Sequence, residues 1–314
     1  MQSTRYYDYK RSLAIDLDKD GCSLADWPIQ YGRALFAKHP KGFLIFLSPS
    51  ELEAFDEYKE SDPYGVEVNV ESDFYKRRME CTLELIEEAI ESVQGTPRIL
   101  DLGCGQGHIT YSIRQAFPEA EISGIDYSIS AIEYAVEHFP GIDFIVGNAY
   151  ECPYAEGYFD IIVCNNLWEH VPDPLFLLKR ISNILKPCGF LIISTPSRYR
   201  LNNLIRVLVG KPVRFMSENH VTEYSVGQVL EQLRYGGYKV LKSFSKPIKM
   251  WNKKYKKNKM LFSFLAMFYS MWVMIFSILV SLTGSHHRFE STVFYLAQRA
   301  NDTAVTKARP DEAI

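Results

Sequence analysis

The sequence lacks the marks of several protein classes. No acidic residue occurs from Gln232 to Phe289, although the 314-residue chain carries 38 Asp and Glu. The six cysteines form no CxxC pair and no cluster with histidine, so neither a zinc site nor a disulfide framework is expected. Met1–Asp20 is charged and holds no apolar run, which argues against a secretory leader and for a cytoplasmic protein with reduced thiols. There is no internal repeat, and no low-complexity tract beyond one lysine run. Core-forming residues are plentiful: 47% of the chain is apolar and 14% aromatic, which excludes a largely disordered polymer.

The missing acids make the charge uneven. Residues 1–231 carry 21 Lys and Arg against 34 Asp and Glu, whereas residues 232–289 carry 11 Lys and Arg against none. The net charge of -3 hides this split. An acidic body with one basic block does not suit a nucleic-acid binder, whose basic surface is larger. It suits a local anionic partner, a membrane surface first of all.

From residue 96 onward short apolar runs alternate with turns and helical patterns. Strands are expected at Arg98–Leu102, Glu121–Ile125, Asp143–Val146, Phe159–Cys164, Gly189–Ser194, Tyr238–Phe244 and Ser291–Gln298. Helices are expected at Tyr75–Val93, Ile109–Ala116, Ser130–His138, Leu175–Leu185 and Val226–Tyr235. This alternation predicts an α/β fold with a mostly parallel sheet covered on both faces. Residues 1–72 are less regular and read as an N-terminal extension or lid. Within them Ser48-Pro49-Ser50-Glu51 has the form of a capping box, so a helix starts there.

The sharpest motif is Ile99-Leu-Asp-Leu-Gly-Cys-Gly-Gln-Gly107, where a buried strand turns into a helix. Gly103, Gly105 and Gly107 let the backbone turn and let a ligand lie against it. Their GxGxG spacing differs from the GxGxxG of dinucleotide binders. Asp126 follows at the end of the second strand, where a carboxylate can accept both hydroxyls of a ribose.

This loop, then GIDYS, GNAYECPY, FDIIVCNNLWEHVPDP and LKPCGFLIISTP, resembles the class I S-adenosylmethionine-dependent methyltransferases block by block and in order. The resemblance covers roughly residues 73–300 and implies a Rossmann-like, seven-stranded sheet with an antiparallel last strand. It implies S-adenosylmethionine as cofactor. Asp101, Gly103, Cys104, Gly105 and Gly107 would line its methionine and ribose parts. Asp126 would hold the ribose hydroxyls, Tyr127 would lie along the adenine, and Asn165 would face the methionine. Asn148-Ala149 stands where the family has Asp-Ala, and Asn can still accept a hydrogen bond from the adenine amine. Arg78 is either a partner of the cofactor carboxylate or a solvated charge beside Lys76 and Arg77.

Methyl transfer to a neutral oxygen benefits from a base near pH 7, so histidines come first. His170, in Trp168-Glu169-His170-Val171-Pro172-Asp173-Pro174, is similar to its counterpart in the ubiquinone-type O-methyltransferases. Their Glu-x-x-Glu-His pattern is associated with a divalent cation. Here Asn166 replaces the first Glu, and no metal is expected. His170 reads as a base or as a turn residue. His220 with Glu223, in Glu218-Asn219-His220-Val221-Thr222-Glu223, reads as a base with its orienting carboxylate, or as packing within a cap over residues 197–224. No Asn-Pro-Pro-Tyr follows the fourth strand, which disfavours methylation of nucleic-acid bases.

Between the last two strands lies an insertion, residues 246–289. Seven lysines fall between Lys246 and Lys259, and Met260–Thr283 carries no charge. Its length suits a bilayer span. The pairing of the flanking strands, implied by the resemblance, requires it to leave and return on one side, as a monotopic helix or re-entrant hairpin. A buried helix, an oligomer interface and a true span are the other readings. A second basic stretch, Arg198 to Arg214, is interleaved with aliphatic residues in the cap. Together these features imply a membrane-associated O-methyltransferase of a hydrophobic or lipid-linked small molecule, such as a quinone precursor or a lipid-carried sugar. The rivals are a soluble small-molecule methyltransferase and a non-catalytic cofactor-binding module. Residues 301–314 read as a polar tail.

Overall fold

The computed structural model describes residues 5–53, 72–246 and 290–300. Its centre is a ten-stranded sheet in the order β11-β12-β10-β9-β6-β7-β8-β5-β4-β3. All seven expected strands are present: β6 (Arg98–Leu102), β7 (Glu121–Asp126), β8 (Asp143–Val146), β9 (Phe159–Asn165), β10 (Leu185–Pro196), β11 (Tyr238–Phe244) and β12 (Thr292–Arg299). Strands β6 to β10 pair in parallel, and β12 runs antiparallel to both β10 and β11. This is the Rossmann-like arrangement expected from the resemblance.

The β-strand period of two sends alternate residues to opposite faces. In β6 Ile99 packs with Leu85 and Ile86 of α3 (Asp73–Ile90) and Ile113 of α4 (His108–Ala116). Leu100 and Leu102 pack on the other face with Leu177 and Ile181 of α6 (Pro174–Ile184) and Val229 and Leu233 of α8 (Val226–Tyr235). Helix α5 (Ile129–His138) covers β8 through Ile132 and Ala135, which meet Phe144 and Val146. The fully buried Leu and Ile side chains stabilise the fold by roughly 1.5–3 kcal/mol each.

The N-terminal stretch was expected as an extension or lid. Residues 5–53 prolong the sheet itself. The short strands β3 (Gly21–Ser23), β4 (Phe36–Lys38) and β5 (Leu44–Ile45) continue it beyond β8, with Leu44 and Ile45 parallel to Ile145 and Val146. Ahead of them, β1 (Tyr7–Asp8) and β2 (Leu13–Ala14) form a separate hairpin. Tyr6 and Ile15 join the core on the α6 face. Arg5 is ion-paired with Asp143, and the Tyr6 hydroxyl donates to the same carboxylate at 2.7 Å. Helix α1 (Trp27–Gln30) buries Trp27, whose indole N–H donates to the Leu47 carbonyl at 2.9 Å. Helix α2 (Pro49–Leu52) carries the capping box read from the sequence: the Glu51 amide donates to Ser48 Oγ, and the Ser48 amide donates to Glu51 Oε2.

Helix α7 (Leu201–Leu208) lies within residues 197–224, expected as a cap, and carries Arg206 of the second basic stretch. Among the described residues no helix is long and apolar enough to cross a membrane. Most of the basic and apolar insertion, residues 247–289, lies outside the described residues.

Candidate active site

The carboxyl ends of β6, β7, β8 and β9 meet at one rim of the sheet, where open α/β folds receive ligands. The glycine loop is held there by its neighbours. The amides of Gly103 and Cys104 both donate to the Ile125 carbonyl, and the Gly105 amide donates to Asp126 Oδ2 at 2.8 Å. Gly103, Gly105 and Gly107 all have positive φ, which an L side chain adopts at a cost. A Cβ on Gly107 would also stand 2.8 Å from Phe144 Cζ and 3.0 Å from Ala135 Cβ. The loop therefore needs glycine for conformation and for space.

A small cavity of about 40 Å³ opens against this loop, lined by Tyr75, Arg78, Asp101, Cys104, His108 and Asn165 among others. Asp101 is buried and accepts from Thr110 Oγ1 at 2.7 Å. Burial pushes its carboxyl up to about 6, with the Thr110 bond opposing. Burial also raises the Cys104 thiol. Arg78 is not a solvated helix charge. Its Nη1 donates to Asn166 Oδ1 at 3.2 Å, its guanidinium lies over Phe74 and Tyr75, and its buried Nε has no hydrogen-bond partner among the described residues. Neighbouring Arg77 is buried too, donating to the Lys246 carbonyl and Ser291 Oγ.

The other expected cofactor residues divide. Asp126 accepts from Ser128 N through Oδ1 and from Gly105 N through Oδ2. Tyr127 is partly exposed, and its hydroxyl donates to the Glu51 carbonyl. Asn148 caps the short helix Ala149–Glu151 by accepting from Tyr150 N at 2.9 Å, while its Nδ2 donates to Glu51 Oε1. The α2 capping box thus lands beside Tyr127 and Asn148, a proximity the sequence did not disclose. Asn165 lines the cavity, but its amide is spent inside the protein: Oδ1 accepts from Ser194 Oγ at 2.8 Å and Nδ2 donates to Thr82 Oγ1 at 3.1 Å. His108 was missed. It directly follows the last glycine of the loop, and its buried Nε2 lacks a partner among the described residues.

Just past β9 the candidate bases come together. The rings of His170 and His220 stand perpendicular, with centroids 4.9 Å apart. His220 Nδ1 is 2.9 Å from Glu223 Oε1. Glu223 is fully buried and is also held by the Arg200 guanidinium and the Met216 amide. Burial alone would raise its carboxyl; the bonds from His220 and Arg200 outweigh burial and hold it below the usual range. The sequence supplied the i,i+3 pair but not Arg200, which pairs across 23 residues.

Glu169 joins this cluster to the cofactor side. Its Oε1 accepts from Asn166 Nδ2 at 3.0 Å and its Oε2 from Thr195 Oγ1 at 2.9 Å. Burial raises its carboxyl. Asn166 has φ 50°, a left-handed conformation that Asn tolerates better than most side chains. No metal was expected, yet Glu169, His170 and His220 each offer one ligand atom within 4.8 Å of the others. Two imidazoles and one carboxylate fit a transition metal better than Mg²⁺ or Ca²⁺.

Residues 95–263 match the family model of a methyltransferase domain. A malonyl-(acyl-carrier protein) O-methyltransferase of Hahella chejuensis is 34% identical over 143 residues, which covers 43% of this chain and 51% of the relative. A ubiquinone biosynthesis O-methyltransferase of Bordetella avium is 34% identical over 123 residues, covering 37% and 49%. The matched part spans about half the length of these relatives. A solved structure of a SAM dependent methyltransferase from Archaeoglobus fulgidus superposes with a TM-score of 0.48 at 19% identity, covering 71% of this chain and 96% of that one.

Asp101 gives a pH signature. Its carboxyl is raised in the folded state from an ordinary 3.8 to about 6, so its contribution to stability is full below pH 3.8 and lost as pH rises through 6. Replacing Asp101→Asn is expected to reduce the loss of unfolding free energy between pH 4 and 7 by up to about 3 kcal/mol. Urea titrations of both proteins across that range measure it, and identical pH slopes would refute the burial account.

Proposed function

The chain belongs to the methyltransferase-domain family, and from that membership we propose that it methylates an oxygen of a hydrophobic or lipid-linked small molecule. S-adenosylmethionine is the cofactor, and it supplies a methyl group activated on a sulfonium sulfur. The glycine loop lets the ligand lie against backbone, Asp126 holds the ribose hydroxyls, and Tyr127 with Asn148 flanks the adenine. Arg78 pairs with the cofactor carboxylate; its place in the lining of the cavity at the glycine loop supports that role.

The observation that carries the transfer step is the buried His220–Glu223 pair. Glu223, kept ionised by His220 and Arg200, accepts a hydrogen bond from the Nδ1–H of His220, which leaves Nε2 with a lone pair. Nε2 then takes the acceptor's proton as the methyl group arrives, and Glu223 stabilises the imidazolium. A second reading rests on the three converging ligand atoms. A divalent cation on Glu169, His170 and His220 would polarise the acceptor oxygen directly. Turnover that survives chelation favours the base.

A lipid-linked acceptor is supported by the cap, whose Val207, Leu208, Val209 and Val221 are 52%, 76%, 63% and 54% exposed. Contiguous exposed apolar residues beside a site suit an apolar partner. The lysine-rich and uncharged segments of the insertion have the composition of an interfacial anchor.

Three measurements test the proposal. Titration calorimetry of Asp126→Ala is expected to give no cofactor binding, and unchanged affinity would sink the assignment. With labelled cofactor and a membrane extract, Glu223→Gln is expected to transfer methyl about 10²–10⁴-fold more slowly while binding cofactor normally. Full turnover by that variant would remove the base. Deleting Lys253–Thr283 is expected to abolish co-flotation with vesicles containing anionic lipid. Intact protein that fails to float with them would refute membrane association.

A further inference from the structure

A second cavity lies away from the transfer site. It measures about 320 Å³ and shares no lining residue with the cavity at the glycine loop. That volume is within the range of small-molecule sites. Tyr7, Tyr9 and Tyr31 wall it from the N-terminal side, and Tyr150, Arg180 and Asn183 from the side of α6.

Its charges are unequally matched. Lys10 is paired with Glu151 at 2.6 Å, and Arg11 with Asp8 at 2.8 Å. Arg180 has no carboxylate partner among the described residues. Its guanidinium lies 4.8 Å from the Phe176 ring centroid, and its Nε is buried without a hydrogen-bond acceptor among those residues. A guanidinium that lines a cavity without a carboxylate partner is available to an anion, which it can bind as carboxylate or phosphate through two parallel bonds.

The rest of the wall selects what carries the anion. The Tyr7 and Tyr9 rings meet edge-on at 5.0 Å. The Tyr9 hydroxyl is fixed by donating to the Tyr154 carbonyl, so its ring is held as a wall. Flat, oriented aromatic faces favour a flat ligand ring. We propose that this cavity is a binding site, separate from the methyl-transfer site, for a small ring-bearing anion whose carboxylate or phosphate is read by Arg180.

The test uses the full-length protein with phenyl phosphate, benzoate and inorganic phosphate as probes, followed by ligand-observed NMR and calorimetry. Arg180→Met keeps a stem to pack on Phe176 and removes the charge. Arg180→Lys keeps the charge and removes the fork. Phenyl phosphate or benzoate is expected to bind saturably, at least tenfold more tightly than inorganic phosphate. Whichever ring probe binds more tightly identifies the anion. Arg180→Met is expected to weaken that probe at least tenfold, Arg180→Lys to weaken it less, and both variants to bind S-adenosylmethionine like the parent. Absence of saturable binding of both ring probes would overturn the proposal. So would inorganic phosphate binding as tightly as they do, or affinity that Arg180→Met leaves unchanged.

Discussion

Much of the active-site rim depends on one buried carboxylate. Glu169 is fully sequestered from solvent, yet its side chain ties Asn166 at the end of β9 to Thr195 on β10. Its backbone carbonyl accepts the amides of Val221 and Thr222, which fastens the cap to the sheet. A carboxylate taken out of water is expensive unless its oxygens are bonded. Here the desolvation that raises its pKa and the bonds that oppose this are the same contacts that align cap, rim and histidines. Removing those contacts would uncouple His220 from His170 as well as destabilise the rim.

The cap follows from this hub. Arg200 adds a cation to the bonds that His220 and the Met216 amide make to buried Glu223, and it also reaches the carbonyls of Ser197 and Arg214. The second basic stretch is therefore partly internal wiring. Arg206 likewise donates to the Pro212 carbonyl. Outward the cap presents Val207, Leu208 and Val209 together with charged residues such as Lys211 and Glu218.

The central sheet was legible because parallel strands buried on both faces read as continuous apolar runs between turns. Residues such as Ile161, Ile162 and Val163 leave no other reading. The N-terminal strands were not legible. They are two or three residues long, and take their identity from pairing with one another and, through β5, with β8 rather than from any periodicity of their own. In the site, the glycine loop, Asp126 and the His220–Glu223 pair were local patterns and could be read directly. Arg200, Glu51 beside Asn148, and the spent amide of Asn165 are long-range events that a linear pattern does not encode. The cavity at Arg180 exists only because the N-terminal segment folds back over α6.

That fold-back orders the events of folding. The strands that complete the sheet beyond β8 are synthesised first, but the residues they pair with, Ile145 and Val146, emerge about a hundred residues later. The N-terminal strands can pair locally with one another, but β5 cannot join the central sheet until β8 has been made. Loop closure over that distance delays the pairing, since non-local contacts are slow to form. Leu44 and Ile45 thus leave the ribosome well before the strand that receives them.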